Sequence, residues 1–499
     1  MYLCISIMEN LLSRIFSLLK YDPSSPMLFN TGLFLVLFAI FLIGYNLLRR
    51  RQTAKMILVI LFSLYFYYKS GGWCVLILLG VCVSDFFLGR WLYATHRVWM
   101  RKALVALNVV LNVGMLVYFK YINLILDAIG SIFSAGFDPL DVILPAGISF
   151  FTFRSISYMV DIYRGEMEPC RNFLHYTFFL TFFPPLLAGP VVRAKDLLPQ
   201  IEANTQPTPQ MTAEGLFLIM IGLIKKVVIA DYISGNFVDR IFENPSLYSG
   251  FENLMGCVGF TVQLYCDFSG YSDMAIGLAL LLGYRFKDNF NAPFKAQSPT
   301  EFWHRWHISL STWLRDYLYI PMGGNRKGKF RAYFNQFMTM VIGGLWHGAS
   351  LMYIIWGAYH GLLLVIHKMI RKVYRLPEEL RGNPLIKCCN IAFTFMLIVV
   401  GFAFFRAESM DKIMQMAHQI FYNFHLSVAP QFLSGYMVIV LAMATAYIAH
   451  ITPKSWTTGA TQLYISMSVV WQALLVTLVI FLVIQTRQSD LVPFIYLKY

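Results

Sequence analysis

EFWHRWHISLSTWLRDYLY, residues 301–319, sets histidine, serine and arginine inside a sequence otherwise built for lipid. Residues three and four apart share one side of a helix, and on that period the stretch divides into two faces. His304, His307, Ser311 and Arg315 line one face; Trp303, Trp306, Leu310, Trp313 and Tyr317 line the other. The aromatic face suits lipid or a neighbouring helix, whereas the polar face must find hydrogen-bond partners or water. Further on, GGLWHGAS (343–350) places His347 among Gly343, Gly344 and Gly348, where absent side chains let a second backbone or a substrate approach. The expectation is a wet chamber inside the membrane, faced by two histidines from separate segments.

The rest of the chain supplies the membrane protein around that chamber. Its 499 residues are 58% hydrophobic and only 13% charged, which excludes an ordinary soluble globule. Apolar runs recur from Gly32–Tyr45 through Ala103–Phe119 and Leu216–Ala230 to Val469–Ile484. They predict an all-α polytopic membrane protein with about eleven spanning or half-spanning helices of roughly 17–25 residues each. Residues 1–20 read as a short amphipathic helix lying at the interface rather than a cleaved signal, because Glu9 and Arg14 interrupt the apolar segment.

The charge balance is basic, 40 Lys and Arg against 26 Asp and Glu, for a net charge of +14. In a membrane protein such an excess marks cytoplasmic loops before nucleic acid. Arg49, Arg50, Arg51 and Lys55 follow one apolar run, and Arg97, Arg101 and Lys102 come two runs later, with Lys69 alone in the turn between. The loop at 49–55 is therefore expected in the cytoplasm and the N-terminus outside. The eight cysteines include no CxxC pair, so neither a disulfide framework nor a zinc site is expected.

Four further stretches break the apolar pattern. LPAGISFFTFRSISYMVDIYRG (144–165) interleaves Ser149, Thr152, Ser155 and Ser157 with aromatics and is too polar to face lipid. FFPPLLAGPVVR (182–193) carries three prolines, which no continuous helix survives, and reads as a re-entrant or half-helix element closed at the surface by Arg193 and Lys195. Lys225 and Lys226 interrupt an apolar run where long side chains can reach the interface. YCDFSGYSDMAIG (265–277) holds Asp267 and Asp273, costly inside a membrane unless they face a partner or a pathway. His360 in WGAYHG has a plain reading as a structural histidine in a tight helix contact. Residues 371–387 read as a surface segment, Arg406 and Glu408 as a charge pair at a helix end, and 489–499 as an aromatic tail.

Two histidines among hydroxyl-bearing neighbours, without metal-ligand spacing, suggest proton transfer. Imidazole suits a general base because its ordinary pKa lies near neutrality. One histidine can take the proton of an acceptor hydroxyl as it attacks an activated acyl group, while the second histidine or Arg315 orients a reactant or steadies the oxyanion. On the residues alone, His304 and His307 are equal rivals for one of these places.

WHRWHISLSTWLRDYLYIPMGGNR (303–326), GGLWHGA and WGAYHG together resemble the signature of membrane-bound O-acyltransferases, in the branch of the alginate O-acetyltransferase membrane subunit. LPAGISFFTF, FFPPLLAGPVVR, YCDFSGYSDMAIG, NFNAPF and FFRA follow the same order, so the likeness is close from Leu144 onward and looser before it. The resemblance implies one membrane domain over residues 1–499, with core motifs at 144–361 and a ring of helices around a tunnel. It matches His347 to the family's characteristic catalytic histidine and His307, not His304, to the second. Asp267, Ser311 and Arg315 stand as weaker candidates for supporting or binding roles. It further implies a multi-pass protein of the cytoplasmic (inner) membrane with no bound cofactor or metal. The donor is acetyl-CoA or another acyl thioester, and the acceptor an exopolysaccharide or cell-envelope glycan, or an extracytoplasmic acyltransferase partner that completes transfer. Arg154, where relatives often have glutamine, and the doubled Pro184–Pro185 depart from the pattern. D-alanyl transferases of teichoic acid synthesis share both histidine motifs, but the GGNR turn and the long stretch after His347 favour the alginate-type branch. A polar-lined transporter and a bis-histidine haem protein are the rivals from other classes.

Overall fold

The computed structural model describes residues 13, 17–134, 136–373, 382–486 and 494. The expected interfacial helix at 1–20 and much of the surface segment at 371–387 lie outside the described residues. Among those described, every regular element is a helix. The chain separates into two compact units, residues 1–188 with 192–206, and residues 189–191 with 207–499.

In the first unit, helices run over α1 (Gly32–Leu47), α2 (Gln52–Gly71), α3 (Val75–Ala94), α4 (Val98–Leu116), α5 (Ile122–Phe133), α6 (Ile148–Arg164), α7 (Phe173–Thr181) and α8 (Ala194–Glu202). Thr31 starts α1 by accepting the Phe34 N–H. Phe34, Phe38 and Phe41 then recur at helical spacing and meet Phe62, Phe66 and Phe29 around one ring, Phe183, with centroids 5.1–6.4 Å away. The prolines that follow Phe183 end the helical course, and the aromatic cluster holds the irregular chain in place. Residues 182–188 are buried without helix, which is tolerable only where protein covers the backbone.

Buried polar side chains tie the helices of this unit together. The Asp85 carboxylate accepts from Asn108 Nδ2 and the Tyr176 hydroxyl, each at 2.7 Å, and Asn108 and Asn112 both donate to Ser155 Oγ. One carboxylate thus links α3, α4, α6 and α7 through donors that satisfy it away from water. Arg154 is also structural: its guanidinium lies over the Phe179 ring at 4.7 Å and donates to the Phe179 carbonyl. After the irregular stretch, Lys195 in the first turn of α8 pairs with Glu166 at 2.6 Å and Asp161 at 3.5 Å.

The second unit contains α9 (Pro209–Leu223), which continues as a π-helical turn over Ile224–Asp231, then α10 (Asp239–Glu243), α11 (Gly250–Leu281), α12 (Pro299–Arg305), α13 (Ile308–Leu314), α14 (Lys329–His347), α15 (Leu351–Val373) and α16 (Pro384–Arg406). It ends with α17 (Met410–Tyr422), α18 (Ala429–Gly435), α19 (Met437–Ile451), α20 (Lys454–Ser466) and α21 (Val469–Thr486). A capping box of Ser249 and Glu252 starts α11. Against it α9 runs antiparallel, and two glycine pairs set the distance. A Cβ on Gly222 would lie 2.5 Å from the Gly270 carbonyl oxygen, and one on Gly277 2.5 Å from that of Gly215. Only glycine permits so close a crossing.

Lys225 and Lys226, expected to extend toward the interface, turn instead to carboxylates within the fold. Lys226 is buried between Asp267 and Asp231 Oδ1, the latter at 2.8 Å, and Lys225 pairs with Asp273 at 2.6 Å. Across the α9–α11 contact each of the two lysines is thus met by a carboxylate of the facing helix, Lys225 by Asp273 and Lys226 by Asp267, which explains why either segment alone misleads. Arg406 likewise pairs with Asp239 at 2.7 Å rather than with Glu408, because Asp239 at the start of α10 is brought alongside by the fold. Of the aromatic tail only Phe494 is described; its ring meets Tyr271 edge-on at 4.3 Å and lies 4.6 Å from Lys226 Nζ.

Among the described residues, length and composition mark five helical stretches able to cross a membrane, Gln52–Ala94, Val98–Phe133, Leu351–Val373, Pro384–Arg406 and Val469–Thr486. A sixth arises if Leu426–Gly435 and Met437–Ile451, bent by 92°, form one broken span. Other runs counted in the sequence are short, interrupted or charged. Rows of exposed apolar side chains, such as Val36, Ile40, Ile43 and Leu47 on α1 and Trp471, Leu474, Leu478 and Phe481 on α21, belong against lipid rather than water.

Candidate active site

The stretch that promised one two-faced helix is two short helices with a break between them. Ser298 caps α12 by accepting the Glu301 N–H, Pro299 supplies its first turn, and the helix stops at Arg305. His307 then takes φ +42° and ψ 55°, a left-handed conformation rare outside glycine, before α13 begins at Ile308. The chain pays for this through Asn289. The backbone carbonyl of Asn289 accepts the Ile308 N–H at 2.9 Å, and Asn291 N–H donates to the Arg305 carbonyl at 2.9 Å. Asn289 Oδ1 accepts the Ser309 N–H at 3.2 Å and the Ser309 hydroxyl at 2.8 Å, while its Nδ2 donates to Ser272 Oγ at 3.1 Å.

Those bonds fix the protonation geometry of His307. The Ser309 N–H can only donate, so the Asn289 atom it meets is the oxygen, and His307 Nδ1 lies 3.2 Å from that same oxygen. A neutral ring so placed carries its proton on Nδ1 and its lone pair on Nε2. The ring is fully buried, with Phe268 edge-on at 4.6 Å. Ser309 Oγ also accepts the Val191 N–H at 2.9 Å, fastening the AGPVV turn to the same place.

His347 ends α14. Its ring is buried in an aromatic box of Trp346, Trp356 and Phe405, with centroids at 4.9, 5.0 and 5.2 Å. The glycines around it admit a backbone: Gly344 stands against the Tyr353 carbonyl and Gly357, and a Cβ on Gly357 would lie 2.5 Å from the Met340 carbonyl oxygen. Helix α15 therefore lies directly on α14 and brings Trp356 to His347. Trp346 joins the two sites, with its ring centroid 6.4 Å from that of His307 and 4.9 Å from that of His347. Both expected histidines thus belong to one buried aromatic neighbourhood.

The other candidates fall elsewhere. His304 is exposed. Arg315 is exposed in a π-helical turn and paired with Asp316 at 2.7 Å, so the break in the helix has carried it off the presumed polar face. Ser311 donates to the Trp306 carbonyl at 3.3 Å. Asp267 is held by Lys226, one residue before the Phe268 ring that packs on His307. His360 is fully buried between Trp303 and Trp356, at 5.3 and 5.0 Å, and neither ring nitrogen meets a hydrogen-bond partner among the described residues. Asn289 is the residue that reading the sequence missed. Its signal was available in NFNAPF, a polar motif placed just ahead of the histidine segment.

The family model for membrane-bound O-acyltransferases matches residues 169–410. A probable alginate O-acetylase AlgI of Pseudomonas aeruginosa is 42% identical over 403 residues, covering 79% of this chain and 75% of the relative. A peptidoglycan O-acetyltransferase of Helicobacter pylori is 34% identical over 77% of this chain and 78% of its own length. A teichoic acid D-alanyltransferase of Bacillus subtilis is 29% identical over 54% and 70%. His307, Asn289 and His347 all lie inside the matched segment. With this identity sustained over three quarters of such relatives, the chain is an O-acyltransferase of the membrane-bound O-acyltransferase family, in its alginate O-acetylase-like branch.

Proposed function

We propose that the protein moves an acetyl group from a cytoplasmic thioester, acetyl-CoA or a related donor, to a hydroxyl of an exported polysaccharide, or to an extracytoplasmic partner that completes the transfer. The observation that carries this reading is the burial of His307 and His347 beside one tryptophan, Trp346. In this reading about eleven spans surround a tunnel across the cytoplasmic membrane, and both histidines face it.

His347 is the general base. It takes the proton of the acceptor hydroxyl as that oxygen attacks the thioester carbonyl; the C–S bond then breaks, and the thiolate recovers the proton from the imidazolium. His307, with its lone pair on Nε2, holds the acceptor hydroxyl by accepting its hydrogen bond. Asp267 supports this wall through Lys226, whereas Ser311 and Arg315 contribute no group to the reacting atoms. The acetylases and the peptidoglycan O-acetyltransferase among the relatives support a glycan acceptor.

The test is ester content of surface glycans by mass spectrometry in cells carrying His347→Ala. Loss of a general base lowers turnover by about 10²–10⁴-fold, so ester falls to trace levels while membrane insertion is unchanged. Ester at the wild-type level in an inserted variant overturns the assignment.

A further inference from the structure

In the first unit a surface cleft of about 590 Å³ opens between the loop after α6, the start of α7 and one side of α8. Cys170, His175 and Glu202 line it, and one ligand-type atom from each lies within 4.8 Å of the other two. The three come from different places: Cys170 from the loop, His175 from the first turn of α7, Glu202 from the last residue of α8. We propose that they form a zinc site with three protein ligands and one position open to the cleft.

The donor set suits the ion. A thiolate, an imidazole and a carboxylate together carry two negative charges, which neutralise Zn²⁺, and the combination of soft sulfur with nitrogen selects zinc over magnesium or calcium. With bonds of about 2.0–2.3 Å, tetrahedral ligands stand about 3.3–3.8 Å apart. His175 Nδ1 and Glu202 Oε1 are already 4.0 Å apart. The remaining closure falls to Glu202, whose side chain is 55% exposed and free to swing, while Cys170 is buried and fixed by its N–H bond to the Tyr158 hydroxyl. On binding, the Cys170 thiol gives its proton to solvent and exchanges its contact with the Asn172 carbonyl, 3.3 Å away, for the metal.

Neighbouring charge does not oppose the ion. Lys195 lines the cleft but is engaged by Glu166 and Asp161, and Arg171 is paired with Glu168 at 3.1 Å. The compartment also fits. Lys55, in the first turn of α2 after Arg49–Arg51, donates to Asn204 Oδ1 at 2.5 Å, and Arg101, in the first turn of α4 after Arg97, donates to the Tyr163 carbonyl at 2.9 Å. Both basic clusters carry the positive charge that marks the cytoplasmic side, and these two bonds reach within a few residues of the cleft. In that reducing compartment Cys170 stays a thiol available to metal.

The experiment uses the full chain purified in detergent, stripped with chelator and dialysed against micromolar Zn²⁺, with bound metal counted by mass spectrometry. The expected result is one zinc per chain, with affinity at least about tenfold weaker in Cys170→Ser, His175→Ala and Glu202→Gln, and a Co²⁺–thiolate absorption band that Cys170→Ser abolishes. Glu202→Gln changes an exposed side chain and keeps the test valid should a buried variant misfold. A Cys388→Ser/Cys389→Ser variant, altering the exposed cysteine pair, should bind as wild type. No stoichiometric zinc in the wild type, equal binding by the three ligand variants, or loss of binding in the Cys388/Cys389 variant would overturn the site. Metal counting does not depend on acyl transfer, so its outcome is separate from the test of His347.

Discussion

At the scale of single residues, Asn289 does the most with one side chain. Its oxygen gathers the Ser309 N–H, the Ser309 hydroxyl and His307 Nδ1, and so holds both a left-handed backbone and a tautomer. Asn289→Ala removes this acceptor and leaves buried donors unsatisfied, at about 1–3 kcal/mol each. Acyl transfer should fall about 10–100-fold with the chain still inserted, as read by ester formation per unit of membrane protein. Asn289→Asp, which keeps the acceptor oxygen, should retain more activity than the alanine variant. His360 presents the opposite case: its nitrogens meet nothing among the described residues, and its ring is walled by indoles. His360→Phe should keep the melting temperature within a few degrees, since an apolar ring of similar shape forfeits no hydrogen bond there. A large drop in melting temperature would show that the imidazole is bonded to water or a ligand. His347 and Asn289 also show what was legible. The histidine was readable from its glycine setting, whereas the polar NFNAPF motif marked a place for Asn289 but not the partner it would meet, eighteen residues further on.

Between helices, charge and close packing decide the outcome. Lys226 sits between two aspartates at the α9–α11 contact, and removing one member of a buried ion pair costs about 3–5 kcal/mol, more than the pair contributes against an apolar replacement. Lys226→Met should therefore lower thermal stability in detergent strongly, and adding Asp267→Asn should recover part of the loss. Gly222→Leu at the same contact should also destabilise, by about 1–3 kcal/mol or more, because the Gly270 carbonyl already occupies the space. The broken helix at 306–307 was not legible for a related reason. A 3.6-residue period fits residues 301–319 well, but hydrogen bonds from the distant segment 289–291 outweigh local preference and turn Arg315 away from His307. Periodicity describes what a segment can do alone; it carries no information about a partner that breaks it.

Across the molecule, class and membrane character were readable from composition, and the helical structure with its lipid-facing rows of apolar side chains agrees. The number of spans was less legible, because helices that carry paired charges or breaks look neither wholly apolar nor soluble. Topology can be measured directly. Single cysteines placed in the 49–55 loop of a chain lacking other cysteines should react with an impermeant maleimide only from the cytoplasmic face, as the positive-inside rule requires; labelling from outside would invert the arrangement. The glycine crossings set a mechanical limit on any such protein in action. Where carbonyls of facing backbones already touch, at Gly222 with Gly270 and Gly215 with Gly277, the second unit has a keel without slack. The right-angled corner between α18 and α19 is closed in another way, by rings instead of backbone: Phe432 and Tyr436 both pack on Phe237, so this bend too is held from within.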